Sequence, residues 1–391
     1  MMPKFPEFAE RTKHVGGSVF EKFRPKMKKM GGDLVKLHIG DTYLAPPYYL
    51  PIENNFMGNN EGFNRYCDTF GIHALRQALS EKVNNDNQLR ASPNQILMTC
   101  GATNALNTSV QTLINPGEDV IVLTPTWPFF MGMVTIAGGN VIEAPLYTRL
   151  YDEPELDILE YLEHHKTGST VAIYLNTPNN PSGKVLNLSQ LQQIADFAKK
   201  NQLWIISDEA YDGMTYDNHN HISIGSLPAM YNQIISIFTF SKVFMFSGLR
   251  LGYIVTAEST IKNLNKMMVH QLYSPATISQ QMMVDPVQNR AQWRNEFVMH
   301  CKELRDFFIA NLKISPQIPE GSYYLFFSIK EHLNGRDYWE VIDECLEKGV
   351  SIAPGNDFGK DFSDYVRICF TGENPERLEL AIDRLNEIFP V

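Results

Sequence analysis

Residues 238–253 read FTFSKVFMFSGLRLGY. Lys242 sits here among apolar and aromatic neighbours, and Arg250 follows eight positions on. An unpaired buried ammonium is costly, so a lysine in such a setting is paired, neutralised or used covalently. Two apolar runs flank the stretch, IISIFTF at 234–240 and GYIVT at 252–256, and both read as strands.

Working outward, the same alternation of strand and helix repeats. Ile72, Leu75, Leu79 and Val83 mark one helical stripe, ILMT (96–99) a strand, and a helix opens at Ala102. DVIVL (119–123), NVIEAPL, VAIYLN and LWIIS (203–207) read as further strands, with helical patterns at WPFFMGMVTIAG and across Leu188, Leu191, Ile194 and Phe197. Strands separated by helices predict an α/β fold with a mostly parallel sheet covered on both faces. Beyond residue 288 the pattern changes. Trp293, Phe297, Cys301, Leu304, Phe308 and Leu312 step by three or four, which predicts a long amphipathic helix, and YYLFFSI predicts a strand. We therefore expect a large domain over 46–288 and a smaller α+β domain from 1–45 and 289–391.

Composition excludes several functions. The 34 basic and 44 acidic residues, a formal charge of −10, form no long single-sign block, which argues against a nucleic-acid surface. The five cysteines show no C-x-x-C pair and no zinc spacing, so no metal is expected and a reduced, cytoplasmic protein is the simplest reading. No apolar run approaches the roughly 18 residues of a membrane span, and the first residues lack a signal core.

In a parallel sheet, ligands collect beyond the carboxyl ends of the strands. Four strand ends carry polar residues here: CGATNALN after ILMT, TPNNPSG after VAIYLN, DEAY after LWIIS, and SK after IISIFTF. The helix start at Ala102 and Thr103 offers N–H groups and a hydroxyl to a phosphate, although such a pair is also an ordinary N-cap. NNPSGK is no P-loop, because its first glycine would fall on Pro178. Asp208, drawn inward after LWIIS, needs a cationic or hydrogen-bonding partner. Taken singly, Asp208 is a turn cap, Lys242 a surface lysine, Arg250 an ion pair and Trp127 a core aromatic. Taken together, these are the parts that hold and use pyridoxal phosphate: a lysine for the aldehyde, a carboxylate for the pyridine nitrogen, a phosphate cradle, an aromatic face and an arginine.

From about Gly40 to Phe370 the sequence also resembles the fold-type-I pyridoxal-phosphate enzymes of the aspartate-aminotransferase group. NTPNNPSG is similar to the family's N-x-P-x-N-P-T-G, with Ser182 for the threonine, and SDEAY, TFSK with GLRLGY, and VRICF follow in the family order. The resemblance implies that Lys242 forms the Schiff base and shuttles the α-proton. It implies that Asp208 pairs with the pyridine nitrogen, that Asn180 and Tyr211 meet the ring's phenolic oxygen, and that Trp127 stacks on the ring. Ala102, Thr103, Thr239, Ser241 and Arg250 would surround the phosphate. Tyr66 would reach the phosphate of a neighbouring subunit, implying a homodimer. Arg367 would grip the substrate α-carboxylate, supported from the side by Asn180 and with Gly40 close to the substrate, and GVSIAPGNDFG would be a mobile closing segment.

The implied activity is transfer of an amino group from an L-amino acid to a 2-keto acid. Lyase, cyclase or oxidase chemistry shares the same motifs, and a non-catalytic cofactor-binding regulator is the reading from another class. HIGDTYLAPP departs from the family's G-x-P-D-F, and Thr103 occupies a position where one aspartate-specific branch carries a lysine. HQLYSPATISQQMMVDPVQ, where another branch supplies a partner's arginine, holds no arginine or lysine. Neutral or aromatic amino acids are therefore expected to outrank aspartate.

Overall fold

The computed structural model describes residues 5–17, 20–46, 62–228 and 230–389. Pro47, the end of HIGDTYLAPP, and the parts of the domain boundaries at 1–4 and 47–61 lie outside them. In chain order the strands are β1 (Val35–Lys36), β2 (Ile96–Thr99), β3 (Asp119–Thr124), β4 (Asn140–Pro145), β5 (Thr170–Asn176) and β6 (Trp204–Asp208). They continue with β7 (Ile234–Thr239), β8 (Gly252–Val255), β9 (Tyr324–Ser328), β10 (Val350–Ser351), β11 (Ala353–Pro354) and β12 (Tyr365–Cys369).

Seven strands make one sheet in the order β2-β8-β7-β6-β5-β3-β4. Its central strands are buried on both faces, which is why they read as unbroken apolar runs rather than alternating ones. In β3, Ile121 and Leu123 pack with Leu191 and Ile194 of the helix Leu188–Asn201. Val120 and Val122 pack on the opposite face with Ala105, Leu106 and Val110 of the helix Gly101–Leu113.

The quoted stretch sets the one reversal in this sheet. A parallel return needs a crossover, usually a helix, and between Thr239 and Gly252 there is only a 3-10 turn, Ser247–Leu249. Strand β8 therefore comes back antiparallel to β7, with Thr239 opposite Gly252, and β2 pairs antiparallel to β8 in turn. The remaining pairs are parallel. As a result β2, β5, β6 and β7 all point the same way, and the Lys242 loop lies over their carboxyl ends.

The second region is built on the antiparallel sheet β11-β12-β9, with the helices Arg294–Asn311, Tyr338–Glu347 and Pro375–Ile388. The N-terminal segment reaches it, since β1 pairs in parallel with β10 and the Cys369 N–H donates to the Leu37 carbonyl at 2.8 Å. That pairing lays His38, Gly40 and Asp41 beside β12, facing the carboxyl edge of the large sheet.

Candidate active site

The strand ends and β12 enclose a cavity of about 250 Å³. Lys242 projects into it from the loop after β7. Its backbone is pinned, because the Tyr323 hydroxyl and the Met245 N–H both donate to its carbonyl, at 3.0 and 2.9 Å. Its Nζ donates to the Gly40 carbonyl at 2.5 Å and sits 5.6 Å from the centre of the Tyr211 ring. Burial lowers its pKa from the usual lysine value; Asp41 opposes this, while Arg367 and Arg250 add to it.

Asp208 ends β6 and is 5% exposed. Its carboxylate accepts from the Tyr174 hydroxyl at 2.9 Å and the Ala210 N–H at 3.1 Å, and no ion pair to it exists among the described residues. Burial pushes its pKa up to about 6, against the pull of those two donors. The geometry is that of a carboxylate held in place for a cation that no described residue supplies.

A second set of groups surrounds the start of the helix Gly101–Leu113, where Ala102 and Thr103 line the cavity with Thr239, Ser241 and Arg250. The Thr239 and Ser241 hydroxyls are 3.0 Å apart, and Arg250 Nη1 donates to the Ser247 carbonyl at 2.8 Å. Gly101 has φ +76°, and a Cβ there would lie 2.9 Å from Arg250 Nη2, so only glycine lets the guanidinium lie against the helix start. Helix N–H groups, two hydroxyls and a guanidinium make an anion cradle suited to a phosphate.

Arg367 enters from β12 and is 7% exposed. Its Nη1 donates to Asn180 Oδ1 at 2.9 Å and its Nη2 to the His38 carbonyl at 2.6 Å. The guanidinium carbon lies 4.3 Å from the centre of the Tyr324 ring and 4.9 Å from that of Phe358. Its Nε–H is buried without a hydrogen-bond partner. A buried orphan donor on a cation marks a place for an anionic ligand. Asn180 is itself fixed, because its N–H donates to Asn176 Oδ1 at 2.7 Å. In the same turn the Ser182 hydroxyl donates to Asn179 Oδ1 at 2.7 Å.

Tyr211 is buried and shares a 2.6 Å hydrogen bond with the Tyr324 hydroxyl. Burial holds the Tyr211 phenol well above the ordinary tyrosine range and pushes Tyr324 up to about 12. Trp127 lines the cavity and packs edge-on against Phe129, 5.2 Å between ring centres.

The structure thus brings Gly40, Ala102, Thr103, Trp127, Asn180, Asp208 and Tyr211 to one cavity with Thr239, Ser241, Lys242, Arg250 and Arg367. Tyr66 stands apart, 85% exposed, with its ring 5.0 Å from that of Tyr273. Sequence reasoning passed over Asn176, Ser247 and Tyr324, which also line the cavity, and Tyr174, which holds Asp208. Asn176 had a signal, being the last residue of VAIYLN; the two tyrosines lie inside apolar runs and had none. Among the described residues no His, Cys, Asp and Glu group is arranged for a metal, and no helix is long and apolar enough to cross a membrane.

An amine, an unpaired buried carboxylate, a phosphate cradle and an orphan arginine donor suit pyridoxal phosphate and an amino-acid carboxylate in both charge and hydrogen bonding. Known proteins agree with that fit. The aspartate aminotransferase of Pyrococcus abyssi is 31% identical over 368 residues, covering 91% of this chain and 92% of its own. The aromatic-amino-acid aminotransferase 2 of Thermococcus litoralis is 30% identical over 367 residues, 91% of each chain. The structure of Thermus thermophilus aspartate aminotransferase with maleate superposes with a TM-score of 0.88 at 27% identity, covering 98% of this chain and 100% of the other. Residues 33–385 match the family described as aminotransferase class I and II. With most of its length inside that match, the chain belongs to the class I and II aminotransferases and is a pyridoxal-phosphate-dependent transaminase of fold type I.

Proposed function

We propose that this transaminase takes its amino group from neutral or aromatic L-amino acids in preference to aspartate and delivers it to a 2-keto acid. The observation that carries the reading is the set of cations lining the cavity. Among the described residues these are Lys242, Arg250 and Arg367, and each is committed to another task below. Residues 47–61 and 270–288 contain no lysine or arginine. A distal carboxylate entering such a site loses its hydration without gaining a permanent positive partner, which costs several kcal/mol.

Bound pyridoxal phosphate supplies an aldehyde that captures amines and a ring that takes up an electron pair. In this reading Lys242 Nζ would hold the aldehyde and would move the proton of the substrate α-carbon. Its lowered pKa favours the neutral amine that a base requires. Asp208, steadied by Tyr174 and the Ala210 N–H, keeps a proton on the pyridine nitrogen. Tyr211 and Asn180 would hydrogen-bond the ring's phenolic oxygen, and Trp127 would stack on the ring. The Ala102 N–H, Thr103, Thr239, Ser241 and Arg250 hold the phosphate. Arg367, oriented by Asn180 and the His38 carbonyl, offers its Nε–H and its remaining Nη–H groups to the substrate carboxylate beside Gly40. Closure of 349–359 would exclude water.

The proposal includes a cytoplasmic homodimer in which Tyr66, exposed and not among the residues that line its own cavity, meets the phosphate of a second copy. It also includes the division into a large domain, 46–288, and a small domain from 1–45 and 289–391. Half-reaction rate constants for aspartate, alanine, methionine and phenylalanine, measured under one set of conditions, test the substrate reading. We expect aspartate to trail the best neutral or aromatic amino acid by on the order of a hundredfold. An advantage of about tenfold or more for aspartate would overturn it.

A further inference from the structure

We propose that Tyr324 is a positioning residue for the transamination, setting both the proton of the Tyr211 hydroxyl and the plane of the Arg367 guanidinium. The inference rests on the cofactor reading given above and adds a residue that the sequence motifs do not mark.

Tyr324 opens β9, which pairs antiparallel with β12 so that Arg367 stands opposite Phe326. Two residues before Phe326, Tyr324 points to the same face and is a diagonal neighbour of Arg367, within reach of a long aromatic side chain. Its ring is 1% exposed and lies 4.3 Å from the guanidinium carbon. The Phe358 ring centre also lies 4.9 Å from that guanidinium carbon, so two aromatic rings hold Arg367 in place.

The far end of the same ring does something different. The Tyr324 hydroxyl is bonded to that of Tyr211 at 2.6 Å, and both phenols are buried and protonated. Two protonated hydroxyls share one hydrogen bond, which leaves one O–H proton for another acceptor. Tyr324 donating to Tyr211 leaves the Tyr211 proton directed at an acceptor in the cavity, and polarises that O–H further. A Cβ on Gly40 would fall 1.9 Å from the Tyr324 oxygen, so this hydroxyl lies against the Gly40 backbone, and the proposal assigns it the donor role in a pair where either oxygen could give the proton. The Gly40 carbonyl in turn accepts from Lys242 Nζ. One side chain thereby touches Arg367 and Tyr211 directly and lies against Gly40, whose carbonyl meets the lysine.

The chromophore formed on Lys242 gives a readout other than turnover. A proton donated by Tyr211 to the phenolic oxygen competes with the proton on the Lys242 nitrogen for that oxygen, so weakening the donation raises the pH at which the nitrogen loses its proton. We expect Tyr324→Phe, purified with cofactor, to shift the absorbance titration upward by about half to one pH unit, the size of one hydrogen bond. Because phenylalanine keeps the ring under Arg367, KM should change less than about threefold while kcat falls. Tyr324→Leu removes the ring as well and should raise KM by about tenfold. In a Tyr211→Phe background, Tyr324→Phe should move the titration no further. Thermal melts of each holoenzyme separate misfolding from the effect. No shift in Tyr324→Phe, or an equal shift in the Tyr211→Phe background, overturns the proposal. A wild-type protein with no titrating chromophore at all would instead overturn the assignment of Lys242.

Discussion

Replacing Arg367 with lysine tests the carboxylate site most directly. Arginine has five N–H groups, and here one Nη1–H goes to Asn180, one Nη2–H to the His38 carbonyl, and the Nε–H has no partner. Three donors in one plane are left for a substrate carboxylate, beside the rings of Tyr324 and Phe358. An ammonium has three donors in all; two spent on the same partners leave one, and a point charge lacks the planar face that packs on the two rings. The substitution therefore keeps the charge and loses at least one charge-assisted hydrogen bond, worth about 1.5–3 kcal/mol. That predicts a fall in kcat/KM of roughly 10- to 150-fold, most of it in KM. The assay is the single-turnover rate against concentration for alanine, phenylalanine and aspartate. Every amino acid has the same α-carboxylate, so all three should lose by the same factor. A loss below about threefold, or one confined to a single amino acid, would place the carboxylate elsewhere.

Borohydride reduction of the yellow holoenzyme should fix the cofactor on Lys242, and peptide mass spectrometry finding it on another lysine would remove that assignment. Asp208→Asn should stabilise the cofactor-free protein above about pH 6. Burial raises this carboxyl from 3.8 to about 6, so ionising it in the fold is penalised: the penalty is absent below about pH 4, grows up to about pH 6 and is then constant at up to roughly 3 kcal/mol. Denaturant melts at pH 4 and pH 8 should show a gain at pH 8 alone, whereas the holoenzyme should lose activity by two orders of magnitude or more. Lys82→Met should cost about 3–5 kcal/mol by stranding Asp212, its partner in a pair where both side chains are nearly inaccessible. The double change Lys82→Met with Asp212→Leu should recover most of that loss, and its failure to do so would deny that the pair is the cause.

Much of the site could be read along the chain because a parallel sheet places its ligands where apolar runs end. Asp208 after LWIIS, Asn180 in the turn after VAIYLN and Lys242 after IISIFTF follow from that rule and from local periodicity. The reversal of β8 has an equally local cause, since a connection without an α-helix cannot return a parallel strand. Chain neighbours determine such features, through the sterics of one segment and the period of its burial.

Tyr324 and Tyr174 had no such mark. Each lies inside a run of apolar residues, and alternation says only that neighbours face opposite sides, not which side meets a carboxylate or a guanidinium. Tyr174 matters because β5 and β6 pair in the register that sets Asn176 beside Asp208. Tyr324 matters because β9 and β12 pair in the register that sets it diagonal to Arg367. The unpartnered Nε–H of Arg367 depends on Asn180 and His38, which are 187 and 329 positions away in sequence. The sequence alone determined which chemical groups are present and on which strand ends they stand. Which donors remain open and which hydroxyls meet was decided by tertiary structure, because register and domain packing arise from contacts between segments that have no proximity along the chain.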